Sequence, residues 1–250
     1  MTYSVPPHVA DEIERTAREG TVSLIHVMMR RSVRDGVQVG ALNAFGPDIA
    51  QASECPAGYM PRWLANLIPM LDRFMDVARY SEYFLRLASC ARDWSVLSDA
   101  AWARVHVHFL DRCIESTLVE GAAVQPLPLP DYWHRVLGMC RAVIPALEGH
   151  GDLAQAREEV QTWARAGDGP LSVAAASSGH DAYWGALLAC NVAWEAAKLD
   201  DQSTASAADF AASAIPSRRA DAEWFLLQQL FALLDTEIAA AKGLGAPVSR

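Results

Sequence analysis

Four side chains in this 250-residue sequence combine reactive chemistry with an apolar setting: Glu195, Asn191, Glu223 and His106. The stretch YWGALLACNVAWEAAKLDD, residues 183–201, carries the first two one helical turn apart. At about 100° per residue, Gly185, Ala186, Ala189, Ala193, Ala196 and Ala197 form a small-residue side. Trp184, Leu187, Leu188 and Trp194 form a bulky side, and Asn191, Glu195 and Lys198 fall among them. A buried carboxylate either finds a partner or stays protonated. Glu195 is therefore a candidate for a raised pKa and for general acid/base work. The alternative is that it pairs with an arginine of a neighbouring helix while Asn191 ties two helices together.

The final helical stretch repeats the pattern. Leu226, Leu227, Leu230, Leu233 and Leu234 mark its core face, with Glu223 at one end and Glu237 at the other. Either Glu223 is a site carboxylate, or it serves the first turn of its helix through the dipole and an ion pair with Arg218 or Arg219. In WARVHVHFLDRCIE, His106 sits within an apolar arc of Trp102, Val105, Phe109, Leu110 and Cys113. Arg104, His108, Asp111 and Glu115 make the opposite, polar stripe. His106 and His108 point about 160° apart on a helix, so the pair is no metal site. Were the inward groups to converge, Glu195, Glu223 and His106 would be catalytic and Asn191, Trp184 and Trp194 would bind substrate. No metal, nucleotide or flavin motif is visible. The chemistry would then be cofactor-independent acid/base work on a small molecule, such as elimination, cyclisation or intramolecular displacement in bacterial specialised metabolism.

The elements that must position these groups are helical. Apolar spacing follows the 3.6-residue period through most of the chain, and about ten helices with no clear strand predict an all-α fold. Ser98 and Ser217 are candidate N-caps, Asp181 another, Gly243 a C-terminal stop, and Pro69 a kink. VSLIHVMMRRSV fits a helix or a short strand, and Arg30, Arg31 and Arg34 fit an anion site or a solvated face. SVAAASSGHD reads as a loop. GAAVQPLPLPD, with prolines at 126, 128 and 130, predicts a linker over 125–131 between an N-terminal half, 1–124, and an Ala-rich C-terminal half, 132–250.

Composition narrows the function classes. Formal net charge is −9, which argues against nucleic-acid binding, since that is driven by phosphate electrostatics. No apolar run reaches the ~18 residues of a membrane span, and the N-terminus lacks a secretory pattern, so a cytoplasmic protein is expected. The five cysteines form no CxxC pair and read as reduced core thiols. Arginine outnumbers lysine by 19 to 2, which suggests a GC-rich coding bias. The segment MPRWLANLIPMLDRFM offers a homo- or hetero-oligomer interface as readily as a core.

The second half, through MCRAVIPALE, AREEVQTWARAGDG, ALLACNVAWEAAK and ADAEWFLLQQLFALL, resembles the Ala-rich, all-helical immunity proteins of bacterial polymorphic-toxin systems. Glu223-Trp224 matches the acidic-Trp pair that opens the last helix in that family. The resemblance covers roughly residues 135–240 and leaves the first half unaccounted for. It implies an all-helical fold and a non-catalytic role, the binding and neutralising of a toxin, and it brings no catalytic residues. Two expectations therefore stand side by side: a small-molecule enzyme, and a protein-binding module with an acidic face.

Overall fold

In a computed structural model of the chain, residues 2–19, 41–46, 48–49, 51–71, 77–165, 169–214 and 219–244 are described. Among them the fold is all-α, as the periodicity predicts: ten α-helices, three short 3-10 turns and no strand. The helices are α1 (Pro7–Glu19), α2 (Arg62–Leu71), α3 (Val77–Asp93), α4 (Asp99–Ala123), α5 (Asp131–Leu147), α6 (Leu153–Ala164), α7 (Pro170–Ala174), α8 (His180–Ala196), α9 (Ser203–Ser213) and α10 (Arg219–Ala241). VSLIHVMMRRSV, Arg30, Arg31, Arg34 and Ser217 lie outside the described residues.

Several boundaries have the local causes read in the sequence. The Ser98 hydroxyl accepts from the Ala101 amide at 3.2 Å and caps α4. Gly243 takes a left-handed conformation, φ 68°, and the Leu244 amide closes back onto the Ala239 carbonyl at 2.9 Å, ending α10. Asp152 caps α6 by accepting from the Gln155 amide at 3.0 Å. Two expectations are corrected. Asp181 is not a cap: α8 starts one residue earlier, after Gly179 at φ 89°, and Asp181 lies in its first turn. The SVAAASSGHD stretch is not all loop, because Pro170 starts the short helix α7 before the chain turns at Ala175–Gly179.

The chain divides into two compact units, residues 1–106 with 223–250, and residues 107–222. Helices α4 and α10 each contribute to both. The Pro-rich stretch 125–131 lies inside the second unit, joining α4 to α5. In the first unit α1 packs on α3, and the core is aromatic. Trp102 meets Tyr3, Trp63 and Trp94 edge-on at ring separations of 5.7, 6.4 and 5.7 Å, and Phe45 stacks on Trp94 at 6.0 Å. Ion pairs Arg104–Glu237 (2.6 Å) and Arg86–Asp235 (2.6 Å) tie α10 to α4 and α3.

In the second unit α8 packs against α9, α5, α6 and α7. The small-residue side explains the close approach of α9. Ala186, Ala189, Ala193 and Ala196 are all buried, and so are Ala207, Ala208, Ala211 and Ala212 of α9. α4 and α8 also cross closely. A Cβ built on Gly121 would fall 2.6 Å from the Trp133 ring and 3.1 Å from the Gly185 carbonyl, and one built on Gly185 would fall 2.8 Å from Val124. At Gly121 a side chain would have to displace the buried Trp133 ring or the α8 backbone, so glycine is required there.

Candidate functional site

Glu195 is 8% exposed, as its place among apolar residues predicts. Its partner is not an arginine of another helix. Lys198, one turn on in the sequence, donates to Oε1 at 2.9 Å, and its ammonium also lies 3.6 Å from the centre of the Trp194 ring. Spacing of three residues places the two side chains on one strip of the helix. The half-buried lysine sets its ammonium over the indole and pairs with the carboxylate. The arrangement is a closed Glu–Lys–Trp triad.

α8 is not packed on every side. Ten of its residues are buried, but Trp184 is 44% exposed, and Leu188, Asn191, Trp194 and Lys198 are half-buried. The bulky side thus forms a partly open strip. At its start the Trp184 indole N–H donates to Nε2 of His180 at 2.6 Å. That acceptor role places the imidazole proton on Nδ1, which lies 3.4 Å from Oδ1 of Asp181. Further along the strip, the Asn191 side chain makes no hydrogen bond among the described residues.

The other two proposed catalytic groups belong to the first unit. His106 is 8% exposed and stacks flat on Trp63, with ring centres 4.6 Å apart and planes 3° from parallel. Glu223 is fully buried. Neither is in the unit that holds Glu195, so no single unit brings the three together. Among the described residues no group of three or more His, Cys, Asp or Glu side chains is arranged to hold a metal ion.

Several polar groups were harder to place from sequence. Asp111, on the polar stripe of α4, is half-buried, and burial raises its carboxyl above the ordinary value, with Arg112 opposing. His108 is likewise half-buried rather than free in solvent. A hydrogen-bonded knot centred on Gln125 has no motif in the sequence. Its Nε2 donates to the Gly121 carbonyl at 2.9 Å and the Ala182 carbonyl at 3.0 Å, while Tyr132 donates its hydroxyl to Oε1 at 2.5 Å. This amide fastens the end of α4, the Pro-rich turn, and the starts of α5 and α8. The usable signal was Gly121 and Gly185, two glycines inside otherwise good helices.

All five cysteines are free and buried. Burial pushes the Cys55 thiol up to about 11 and raises Cys90 and Cys113. The Cys140 thiol is raised first by its hydrogen bond with Cys190, then by burial. These are core thiols rather than nucleophiles, since the reactive form is the thiolate.

Charge is unevenly shared. Residues 107–222 hold 15 acidic against 8 basic side chains, a net −7. The remainder holds 15 against 13, a net −2. No described helix is long and apolar enough to cross a membrane. No family model, no curated protein and no solved structure matches the chain.

Proposed function

We propose that the protein is a non-catalytic binding protein of the immunity type, which holds and neutralises a basic partner protein through its second unit. The observation that carries this reading is the charge asymmetry: residues 107–222 contribute −7 of the −9 total. Such a field steers a cationic partner and raises the association rate. The interior chemistry supports it as well. Glu195 is neutralised by Lys198 and His106 is stacked on Trp63, as expected of groups that set helix register.

The test is capture of the partner from the source cell, followed by neutralisation. The partner is expected to be cationic, its complex to weaken as salt is raised, and its harm to a host cell to disappear when this chain is co-expressed. An acidic partner, or harm undiminished by co-expression, refutes the reading.

One observation favours a second reading, cofactor-free acid/base chemistry on a small molecule. The Asn191 amide, without a hydrogen-bond partner among the described residues, lies between Trp184 and Trp194 in the sequence of α8, one turn from Glu195. That reading requires turnover of a small molecule that Glu195→Gln abolishes without unfolding the protein.

A further inference from the structure

The second unit carries an apolar patch rimmed by carboxylates, and its geometry follows from the α4–α8 crossing. Gly121 faces Gly185, while Gln125, two residues past the end of α4, reaches Ala182, three residues earlier in α8. The two helices therefore run antiparallel here. The Ala182 carbonyl, where Gln125 and Tyr132 of α5 meet, lies to one side of the glycine contact. At about 100° per residue, Glu120 of α4 and Trp184 and Asp181 of α8 lie to the other, since in antiparallel helices the same angular sense points to the same side. Val124, in the turn just past α4, lies beside Gly185, its Cγ2 2.8 Å from where a Cβ there would stand.

That face is open. Val124 is 45% and Trp184 44% exposed, and the half-buried Leu188 continues the apolar strip along α8. Beside them stand the Asp181 carboxylate, 88% exposed, and the half-buried Glu120. Beneath it, the glycine contact and the Gln125 bonds join the two helices. His180 fixes the Trp184 indole by its N–H. A half-exposed tryptophan, with a valine and a leucine near it and carboxylates at the rim, has the composition of an interface anchor.

From this geometry we infer that the Val124–Trp184–Leu188 face docks a basic amphipathic segment of another protein. Its apolar residues cover the indole, and its Lys or Arg side chains meet Glu120 and Asp181. Charge complementarity selects this occupant. A second copy of the chain would bring a unit of net −7 against its like, whereas a cationic segment is attracted by the same field. The inference rests on the binding function proposed above and assigns it a surface.

The experiment uses the full chain and an amphipathic Leu/Lys helical peptide carrying one photoreactive benzophenone, with its Leu/Glu counterpart as control. The Leu/Lys peptide is expected to bind and to cross-link to residues 120–124 and 181–188. Trp184→Ala should weaken it about 10-fold while Trp184→Phe stays near wild type. Glu120→Lys with Asp181→Lys should weaken it by about as much. Both reversed residues lie at or near the surface, so this variant carries the test if Trp184→Ala misfolds by circular dichroism. Binding that cross-links elsewhere and ignores these variants overturns the docking face and leaves a basic partner in place. No binding, or equal binding of the Leu/Glu peptide, overturns both.

Discussion

Gly121→Ala examines the α4–α8 crossing on which the second unit is built. In an unobstructed helix interior, replacing glycine by alanine stabilises by about 1 kcal/mol, because the unfolded chain loses freedom. At Gly121 the new methyl would lie 2.6 Å from the Trp133 ring and 3.1 Å from the Gly185 carbonyl. Trp133 is fully buried, so its ring cannot swing into solvent, and the carbonyl belongs to the backbone of α8. Overpacking of this kind costs about 1–3 kcal/mol. The helix-propensity gain offsets part of this, leaving a net loss of up to about 2 kcal/mol. Gly138 supplies the control. It sits within α5, exposed, with nothing within 4 Å of a built Cβ, so Gly138→Ala should gain about 1 kcal/mol. Urea unfolding followed by circular dichroism compares the two variants with wild type. The expected result is a midpoint lowered by Gly121→Ala and raised by Gly138→Ala. A Gly121→Ala protein as stabilised as Gly138→Ala would refute the close approach of α4 and α8, and with it the shared face assigned to Val124 and Trp184.

Three further predictions bear on the buried polar groups. Lys198→Met strands the Glu195 carboxylate and should cost about 1–3 kcal/mol in urea unfolding, less than a fully buried pair because the lysine reaches solvent; adding Glu195→Gln should recover most of the loss. Asp200 accepts amides of Ser203 (2.7 Å) and Gln202 (2.9 Å) at the start of α9, bonds that lower its carboxyl below the usual value of 3.8. Its contribution is therefore complete above the unfolded value and lost as pH falls through the lower folded one. Asp200→Ala should cost about 1 kcal/mol at neutral pH, and the cost should vanish in acid stability curves below that window. The five buried thiols should resist an aromatic disulfide reagent in the native protein and all react in guanidinium; rapid native labelling of Cys140 would show that its site opens.

The helical class was legible because it rests on local physics. Periodicity, the Ser98 cap and the Gly243 stop act within one or two turns, and each appears where the residues predict it. The small-residue side of α8 was equally readable, since Gly185, Ala186, Ala189 and Ala193 leave room for a neighbour whatever its identity. What the sequence could not say is which apolar side lacks a neighbour. Trp184 and Leu188 look like core by composition, yet the packing of α9, α5 and α6 leaves their strip partly open. Unit boundaries inside α4 and α10 leave no local mark, because a helix crossing a boundary keeps its period. The stretch 125–131 joins α4 to α5, and Gln125 at its start is bonded to Gly121, Ala182 and Tyr132, contacts that no local pattern of prolines announces. Glu195 was correctly placed inside, but its partner was sought among 19 arginines when Lys198 stood one turn away.

The most direct test of the account is the affinity of the isolated basic partner for wild-type protein and for Glu195→Gln, each at low and at physiological salt. A surface-charge complex should weaken about 10-fold or more between the two salts as screening shortens the reach of the field, with Glu195→Gln within about twofold of wild type. Salt-insensitive affinity together with loss of binding in Glu195→Gln would place the function at the interior carboxylate and contradict the account.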